Sequence, residues 1–542
     1  MLWIALHLPL LSLESFAATL PDEARRPPQK APQERPQERP LALMDAHAIL
    51  AVNTAARALG VRPGFKRATA LALAPGLVLG LADPVRDAQA LTAVAHAALA
   101  FTPTVAIQPP SHAASASAAD RTPDTVLLEV RASLRYFGGL PALRQRLTDA
   151  LAPLGHRLHM VSASTPLGAA LLARVQSKLD CADQAATCRA LARAPVWLLG
   201  PGRAHWEALQ GMGLHTIADL KRVPRDGLAR RFGPVVLDEL DRATGAQPDP
   251  REPIALPPAF DSRLELFARA DTTEQLMHGA SVLLMRLVAW LSAQHAFVRR
   301  FTLEMAHEKR SRHDAPGSDI TRLDVALAEP SRDSAHLLVL LRERLAQLQL
   351  PAPTLDLALF ADDIAHRAPP NTELFPTPAA EHEGLTRLIE RLQARLGREQ
   401  VQRLMLVQDH RPERATAWCT ADAQMRPSRA CSTAAHAKRQ AMSPPDDAFN
   451  AARLVRPVWL LQQPEALTER EVAGERGPWL DGQPLHLLSG PERIESGWWD
   501  FDPVARDYYI AQSPGGALVW VFRERVPAGG TPLHWFLQGR FG

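Results

Sequence analysis

The sequence predicts a multidomain protein of α/β and α+β domains that ends in a β-rich extension, and three observations lead there. The chain has 542 residues, 46% of them apolar, enough to bury several cores rather than one. Short apolar runs alternate with stretches of helical periodicity on both sides of a compact segment, 196–245, whose helices are joined by Gly-x-Gly turns. Beyond about residue 401 the pattern changes to short runs rich in tryptophan: Trp459, Trp479, Trp498, Trp499, Trp520 and Trp535.

Taken in order, Leu2 to Leu6 is apolar throughout and is read as a buried first strand. The opening MLWIALHLPLLSLESFAATL lacks a basic leading region and carries Glu14 inside its apolar run, so it is not read as a secretory signal. The Pro/Arg/Gln/Glu stretch from Pro21 to Pro40 cannot sustain a helix or a central strand, since each proline fixes φ and removes an amide donor; an exposed loop is expected. A strand in LALMDAHAILAVN, a helix from Ala55 to Leu59, a Gly60/Gly64 turn and a helix from Ala68 to Ala74 make a small α/β insertion. Asp87 to Ala100 is helical, and TVLLEVRASLRYFGG reads as a β-rich run ending at a Gly139 turn. Helix Leu140 to Leu151, strand His156 to Ser162 and helix Leu167 to Leu179 close an α/β domain built on one sheet.

After the Gly-x-Gly segment the order is strand LELFARA, helix Gln275 to Gln294, strands Phe301 to Ala306 and Arg322 to Leu327, helix Ser334 to Gln347, and strand Thr354 to Phe360. A linker from His366 to Pro378 precedes a helix from Gly384 to Leu396. An irregular segment, Ala415 to Asp447, then leads to the tryptophan-rich strands.

The formal net charge is +3 from 61 basic and 58 acidic residues, so any surface for nucleic acid must be local. Cys181, Cys188, Cys419 and Cys431 have neither disulfide-framework nor zinc spacing and are expected to be reduced thiols of a cytosolic protein. No stretch is read as approaching the roughly 20 apolar residues of a membrane span, so a soluble chain with no membrane partner is expected.

Two patterns carry nucleic-acid chemistry. In GPGRAHWEALQGMGLHTIADL, Gly200, Gly202, Gly211 and Gly213 form the two Gly-x-Gly turns of a helix-hairpin-helix, with Arg203 and Lys221 as nearby cations. Such turns present amide groups at helix N-termini, where hydrogen bonds and the helix dipole favour a phosphate oxygen. The same turns also fit a tight helical hairpin that binds nothing. Arg299 and Arg300 lead into FTLEMAHEKR, followed by Lys309, Arg310 and Arg312. These cations either track phosphates without reading sequence or form a solvated edge that protects a sheet.

In this order the segments resemble the Y-family DNA polymerases across roughly 1–360. AVNTAARALGVRPGFKRATALALAP is similar to that family's fingers, LLEVRASLRYFGG to the strand after its second acidic motif, and PVWLLGPGR through RATGAQPDPREPI to its thumb and the following linker. DHRPERA, RPVWLL, GPERIESGWWDFDPVARDYY and HWFLQGRFG resemble the C-terminal extension of the catalytically inactive, ImuB-type branch. The resemblance implies a palm over 1–195 with fingers inserted at about 41–85, a helix-hairpin-helix thumb over 196–252 and a little finger over 258–365. A linker over 366–383 and an extension over 384–542 follow.

Nucleotidyl transfer in that family needs carboxylates holding two Mg2+ ions about 4 Å apart. Matching LWIALHLPLLSLE with Glu14 on the family's last acidic position sets Ala5 and His7 where the first motif has its two aspartates. The second motif falls on Thr122, Pro123, Asp124 and Thr125, so Thr125 replaces the catalytic glutamate; Asp124 is either a retained ligand or an ordinary loop residue. Glu129 is expected on the strand, away from the metal. Thr54 stands for the family's fingers tyrosine, although Arg57 remains. Ser162 to Arg174 lacks the expected lysine, and Pro9 and Leu10 replace the aromatic pair that screens the sugar. No catalytic residue, metal or cofactor is expected, and nucleotide binding is expected to be weak or absent.

What the resemblance implies is a non-catalytic DNA-binding adaptor in damage-induced (SOS) translesion synthesis and mutagenesis. Its expected partners are primer-template DNA, a sliding clamp, a DnaE-class error-prone polymerase and a RecA-like ImuA-type protein, and its expected place is the cytoplasm, at the nucleoid. An active translesion polymerase with a metal site rebuilt from Asp124, Glu129 or Glu14 is one alternative. A protein-interaction hub without DNA binding is another.

Asn371, Thr372, Glu373, Leu374 and Phe375, flanked by Pro370 and Pro376, resemble a clamp-binding peptide, in which an extended segment lays two apolar side chains into a pocket. An ordinary linker is the alternative. Arg263 to Phe267 fits the letters better but falls on an expected core strand, and Gln347 to Pro351 is a third candidate. The tail's Trp and Tyr residues are either a partner-binding surface or the core of a β domain.

Overall fold

Leu2, Ile4, Leu6 and Leu8 alternate with Trp3, Ala5 and His7, and all seven are buried because β1 (Trp3–His7) is the middle strand of a five-stranded sheet covered on both faces. The structure is a computed structural model that describes residues 1–21, 39–110, 122–200, 205–308, 319–366, 378–421, 456–472, 475–525 and 534–542. The chain divides into two compact units, Met1–Arg395 and Leu396–Gly542.

In the first unit β1 leads to α1 (Leu11–Ala17) and then to an insertion. There β2 (Leu41–Met44) and β3 (Ile49–Val52) form a hairpin where the sequence suggested one strand. The Asp45 carboxylate makes the turn by accepting from the amides of His47 and Ala48 at 2.7 and 2.8 Å. Asn53 accepts from the Ala56 amide and so starts α2 (Thr54–Ala58); α3 (Arg67–Leu73) and β4 (Val78–Leu81) complete a small sheet of order β3-β2-β4.

The main sheet resumes through α4 (Pro84–Leu99), capped by Asp83, then β5 (Val105–Ile107) and β6 (Thr125–Glu129). The β-run expected to reach Gly139 stops at Glu129, whose carboxylate turns back to accept the amides of Leu2 and Arg131. Leu134–Phe137 is the short helix α5 instead, closed by Gly138 and Gly139 at φ of 81° and 103°. α6 (Leu140–Leu151), β7 (His159–Ala163), α7 (Pro166–Val175) and β8 (Lys178–Asp180) follow, giving the order β5-β6-β1-β7-β8. β1 pairs antiparallel with both neighbours, placing Ala5 between Leu127 and Val161, and His7 between Thr125 and His159.

Among the described residues the helices that come next are α8 (Gln184–Ala192), α9 (Trp206–Gly211), α10 (Ile217–Arg222), α11 (Arg225–Phe232) and α12 (Val235–Thr244). Leu209, Ile217, Leu220, Leu228 and Leu240 join the core that also holds Ala5, Leu127 and Val161, so this helical segment is packed through α7 onto one face of the main sheet.

The second sheet follows the expected order closely: β9 (Phe260–Ala270), α13 (Thr273–Ala293), β10 (Phe297–His307), β11 (Ile320–Ser331), α14 (Ser334–Ala346) and β12 (Thr354–Ala365), paired as β11-β10-β12-β9. α13 corrects one expectation, since its 21 residues are long and apolar enough to cross a membrane. Leu276, Leu283, Leu284, Leu287 and Trp290 bury that apolar face in the domain core. α15 (Pro378–Leu396), placed by sequence at the head of the extension, belongs almost wholly to the first unit. Its buried Glu390 accepts from the amides of Ala328 and Glu329 and lies 2.8 Å from His336 Nε2.

In the second unit β13 (Gln402–Leu406) pairs with β14 (Thr416–Thr420), so the start of the segment expected to be irregular is a strand; residues 422–447 lie outside the described ones. β15 (Trp459–Val472), β16 (Glu475–Leu480), β17 (Gln483–Pro484), β18 (His486–Ser496), β19 (Val504–Gln512), β20 (Leu518–Glu524) and β21 (Trp535–Arg540) form a seven-stranded sheet of order β17-β16-β15-β21-β20-β19-β18. Trp520 stacks on Tyr508 at 4.2 Å in one core and Trp535 is buried in another. Cys181, Cys188 and Cys419 are free, and Cys431 lies outside the described residues.

Candidate functional site

Strand alternation points Trp3, Ala5 and His7 to one face, and His7, the last of them, meets the residue that precedes β6. His7 Nδ1 lies 3.1 Å from Thr125 Oγ1 and 3.4 Å from an Asp124 carboxylate oxygen. Thr125 donates to Asp124 at 2.7 Å, and Arg174, from the last turn of α7, donates to both Asp124 oxygens at 3.3 and 3.2 Å. Burial by itself would raise the Asp124 pKa, but the His7 hydrogen bond and the Arg174 charge outweigh it and bring it down to about 2. Asp124 is therefore an ionised carboxylate already neutralised by a guanidinium.

This geometry refines the first-motif alignment: Ala5 lies one turn of the pleat deeper, in the core, and His7 is the β1 residue beside Asp124. Glu14 accepts from the Arg157 amide at 3.0 Å and lies 3.4 Å from His156, while Glu129 is held by the Leu2 amide. Neither joins Asp124. A lone carboxylate, an imidazole and a hydroxyl, with Arg174 supplying the positive charge, do not fit the carboxylate set a pair of Mg2+ ions needs. Among the described residues no group of three or more His, Cys, Asp or Glu side chains can hold a metal ion.

Between α1 and the insertion lies a cleft of about 200 Å3 whose walls include Leu10, Leu13, Leu41 and Thr54. Thr54 and Arg57 are exposed on α2, Pro9 is exposed in the turn after β1, and Ser162 donates to Asp180. Two arginines, Arg39 and Arg157, reach the cleft, together with Glu14.

The residues proposed to meet phosphate divide. Gly200 is buried, whereas Gly202 and Arg203 lie outside the described residues. Gly211 and Gly213 are exposed at the end of α9, with Gly213 at a φ of 77° that suits glycine. The helix N-terminus they lead to is already occupied: Thr216 accepts from the Asp219 amide, and the Asp219 carboxylate returns to the amides of His215 and Thr216. The capping box thus places a carboxylate beside the second turn. Lys221 is exposed, and so are Arg230 and Arg231 on α11, which sequence reasoning missed although their i, i+1 placement before Gly233 was readable.

On the second sheet Arg299 and Arg300 are exposed on β10, 4.0 and 3.9 Å from Asp363; Lys309, Arg310 and Arg312 lie outside the described residues. The face turned away from the helices carries Asp261, Glu265, Glu304, Asp324 and Asp356 against Arg263, Arg300 and Arg322, so its balance is acidic. Asn371, Thr372, Glu373, Leu374 and Phe375 lie outside the described residues. Arg263 to Phe267 is part of β9, with Leu264 in the core and Phe267 edge-on to Phe16, and Leu348 and Leu350 pack on the same core.

In the second unit DHRPERA and GWWDFD, far apart in sequence, form one cluster. Arg411 is buried and donates to Asp409 at 2.7 Å, to Asp500 at 3.1 Å and to the Asp502 carbonyl at 3.0 Å. Hydrogen bonds from Arg411 bring the Asp409 pKa down to about 2. Gly497 and Phe501 both have positive φ, 85° and 62°, and a Cβ on Gly497 would stand 2.1 Å from the Asp502 carbonyl oxygen. The loop so held turns Phe501 and Trp498 outward, 98% and 79% exposed, with Trp499 half-exposed beneath. The six tryptophans therefore split: Trp520 and Trp535 are core, Trp479 is intermediate, and Trp459, Trp498 and Trp499 are exposed.

No protein-family model matches the chain. Along 508 residues it is 29% identical to Protein ImuB of Caulobacter vibrioides strain NA1000 / CB15N, a match covering 89% of this chain and 100% of the relative. The same figures hold for Protein ImuB of strain ATCC 19089 / CIP 103742 / CB 15. Among solved structures, a Dbh ternary complex is 15% identical with a TM-score of 0.35, covering 67% of this chain and 99% of that one. DinB from Sulfolobus solfataricus is 16% identical with a TM-score of 0.35 and the same coverage.

Proposed function

From the similarity to Protein ImuB we propose that the chain is a non-catalytic DNA-binding adaptor of damage-induced translesion synthesis. In this reading it works at the nucleoid in the cytoplasm and links primer-template DNA, a sliding clamp, a DnaE-class error-prone polymerase and a RecA-like ImuA-type protein. The observation that carries the non-catalytic part is Arg174 seated on Asp124, with His7 and Thr125 completing its surroundings. A guanidinium fixed at the carboxylate does the electrostatic work of a metal without its Lewis acidity or open coordination positions.

Support for DNA contact comes from the exposed cations Lys221, Arg230 and Arg231 on α10 and α11. Support for partner contact comes from Trp498 and Phe501 on their fixed loop. The test is a fluorescence titration of labelled primer-template across a salt series, with purified sliding clamp added to the same samples. The adaptor binds DNA with an affinity that falls steeply with salt, and binds clamp in a manner lost on combining Leu374→Ala with Phe375→Ala. A protein-interaction hub without DNA binding is kept as a second reading, because the acidic face of the second sheet favours it. A flat isotherm at low salt selects the hub.

A further inference from the structure

At the end of β6 remote from Asp124 lies a cavity of about 820 Å3, within the range of ligand-binding pockets. Its floor is apolar: Leu99, Phe101, Phe137, Ile254 and Leu256, with the Phe101 and Phe137 rings 5.3 Å apart. Its rim is different. Tyr136 stands 84% exposed, edge-on to Phe137, and the Arg146 guanidinium lies 5.7 Å over the Phe137 ring. His295, also in the lining, has a φ of 50° just past the end of α13, where the amides of His295 and Ala296 return to the carbonyls of Ser292 and Leu291.

Arg131 and Arg135 are exposed on the stretch that leads to Tyr136, and neither they nor Arg146 forms an ion pair with a described carboxylate. The acids nearest in sequence are committed elsewhere: Glu129 accepts from the Leu2 and Arg131 amides, and Asp149 from Gln145 at 2.9 Å. On the same helix Arg144 is paired with Asp180, whereas Arg146, which lines the pocket, faces solvent without a described carboxylate partner. An apolar floor with Arg146 in its lining, and with the exposed Arg131 and Arg135 next in sequence to the lining residues Ala132 and Tyr136, is complementary to an apolar side chain flanked by carboxylates.

We propose that this pocket docks an acidic peptide segment of a partner protein, with an aromatic or long aliphatic side chain on Phe101 and Phe137 and carboxylates facing Arg131, Arg135 and Arg146. A single-stranded nucleic acid shares the charge and stacks on exposed rings, here Tyr136 and His295; the apolar floor of Phe101, Phe137, Ile254 and Leu256 favours a peptide side chain, and oligothymidylate binding separates the two. The proposal goes beyond the adaptor reading and stands whether or not the chain binds DNA.

The full chain is titrated with a panel of fluorescein-labelled peptides in which one Phe, Trp or Leu is flanked by Asp and Glu. Matched panels change the anchor to Ala or the acids to Gln. The expected result is saturable binding by acidic, anchored peptides only, weakened about tenfold by Tyr136→Ala and by Arg135→Glu combined with Arg146→Glu. All three side chains face solvent, so melting curves stay unchanged and show the variants folded. Binding by no peptide, or binding indifferent to these substitutions, overturns the proposal. So does a labelled oligothymidylate that binds the wild type and loses affinity with Tyr136→Ala. Primer-template titration of the same variants is expected to match the wild type, which separates failure here from failure of the adaptor reading.

Discussion

The first sheet and the C-terminal unit each contain an arginine–aspartate cluster, and the two do opposite things. At the end of β1, Arg174 closes over Asp124, so the polar groups there satisfy one another and little is left to face a ligand. In the second unit, Arg411 gathers Asp409 and Asp500 from distant segments and by doing so holds Trp498 and Phe501 outside. The difference teaches that an ion pair's functional meaning lies in which side chains it excludes or presents. Its contribution to stability is a separate matter.

The largest effect that can break this comparison is expected from Arg411→Ala. Removing one buried partner leaves Asp409 and Asp500 facing each other, and the second unit's melting transition is expected to fall by roughly 5–10 °C in calorimetry. An unchanged transition would mean that the loop does not depend on Arg411.

Next comes Arg174→Met. The folded-state pKa of Asp124, about 2, is below the ordinary aspartate value of 3.8, so the carboxylate's stabilisation is fully present above that value and is lost as pH falls toward 2. The shift corresponds to roughly 2 kcal/mol, of which Arg174 is one contributor. Urea denaturation is expected to show the variant less stable than wild type at pH 6 by part of that amount, about 1 kcal/mol, with the gap narrowing below pH 3. A gap that stays constant with pH would remove the electrostatic account.

A smaller effect sharpens the same site. His7→Asp combined with Thr125→Glu restores carboxylates around Asp124, and Mn2+ is expected to raise that variant's melting temperature by about 2 °C while leaving the wild type unmoved. Equal stabilisation of the wild type would mean that the locus takes a metal as it stands. Smallest of all, Trp498→Ala and Phe501→Ala are expected to change stability by less than about 0.5 kcal/mol, since both side chains face solvent. If the proposed polymerase or ImuA-type partner docks on this loop, the variants lose its capture in a pull-down with purified proteins.

Much of the architecture was legible because period and composition carry it. The order of strands and helices over 260–365 follows from alternating runs such as FTLEMAH and helical ones such as SAHLLVLLRERLA. The hairpin at Asp45 was missed because a side-chain-to-amide turn leaves little trace in a continuous apolar run. β5 and β8 are only three residues each, too short for any period. Of the site, the adjacency of Asp124 and Thr125 at the start of β6 was readable. Arg174's partnership with Asp124 was not, since the two are 50 positions apart and meet only because α7 packs onto the sheet. The Arg411 cluster was hidden for the same reason: 89 positions separate Arg411 from Asp500.

The most direct test of the central claim is primer extension by the purified chain with Mg2+ or Mn2+, run beside a binding titration on the same primer-template. Salt-sensitive binding with no added nucleotide is the expected result. Extension that is absent from a mock purification and abolished by Asp124→Ala would contradict it, because Asp124 would then be serving a metal instead of Arg174.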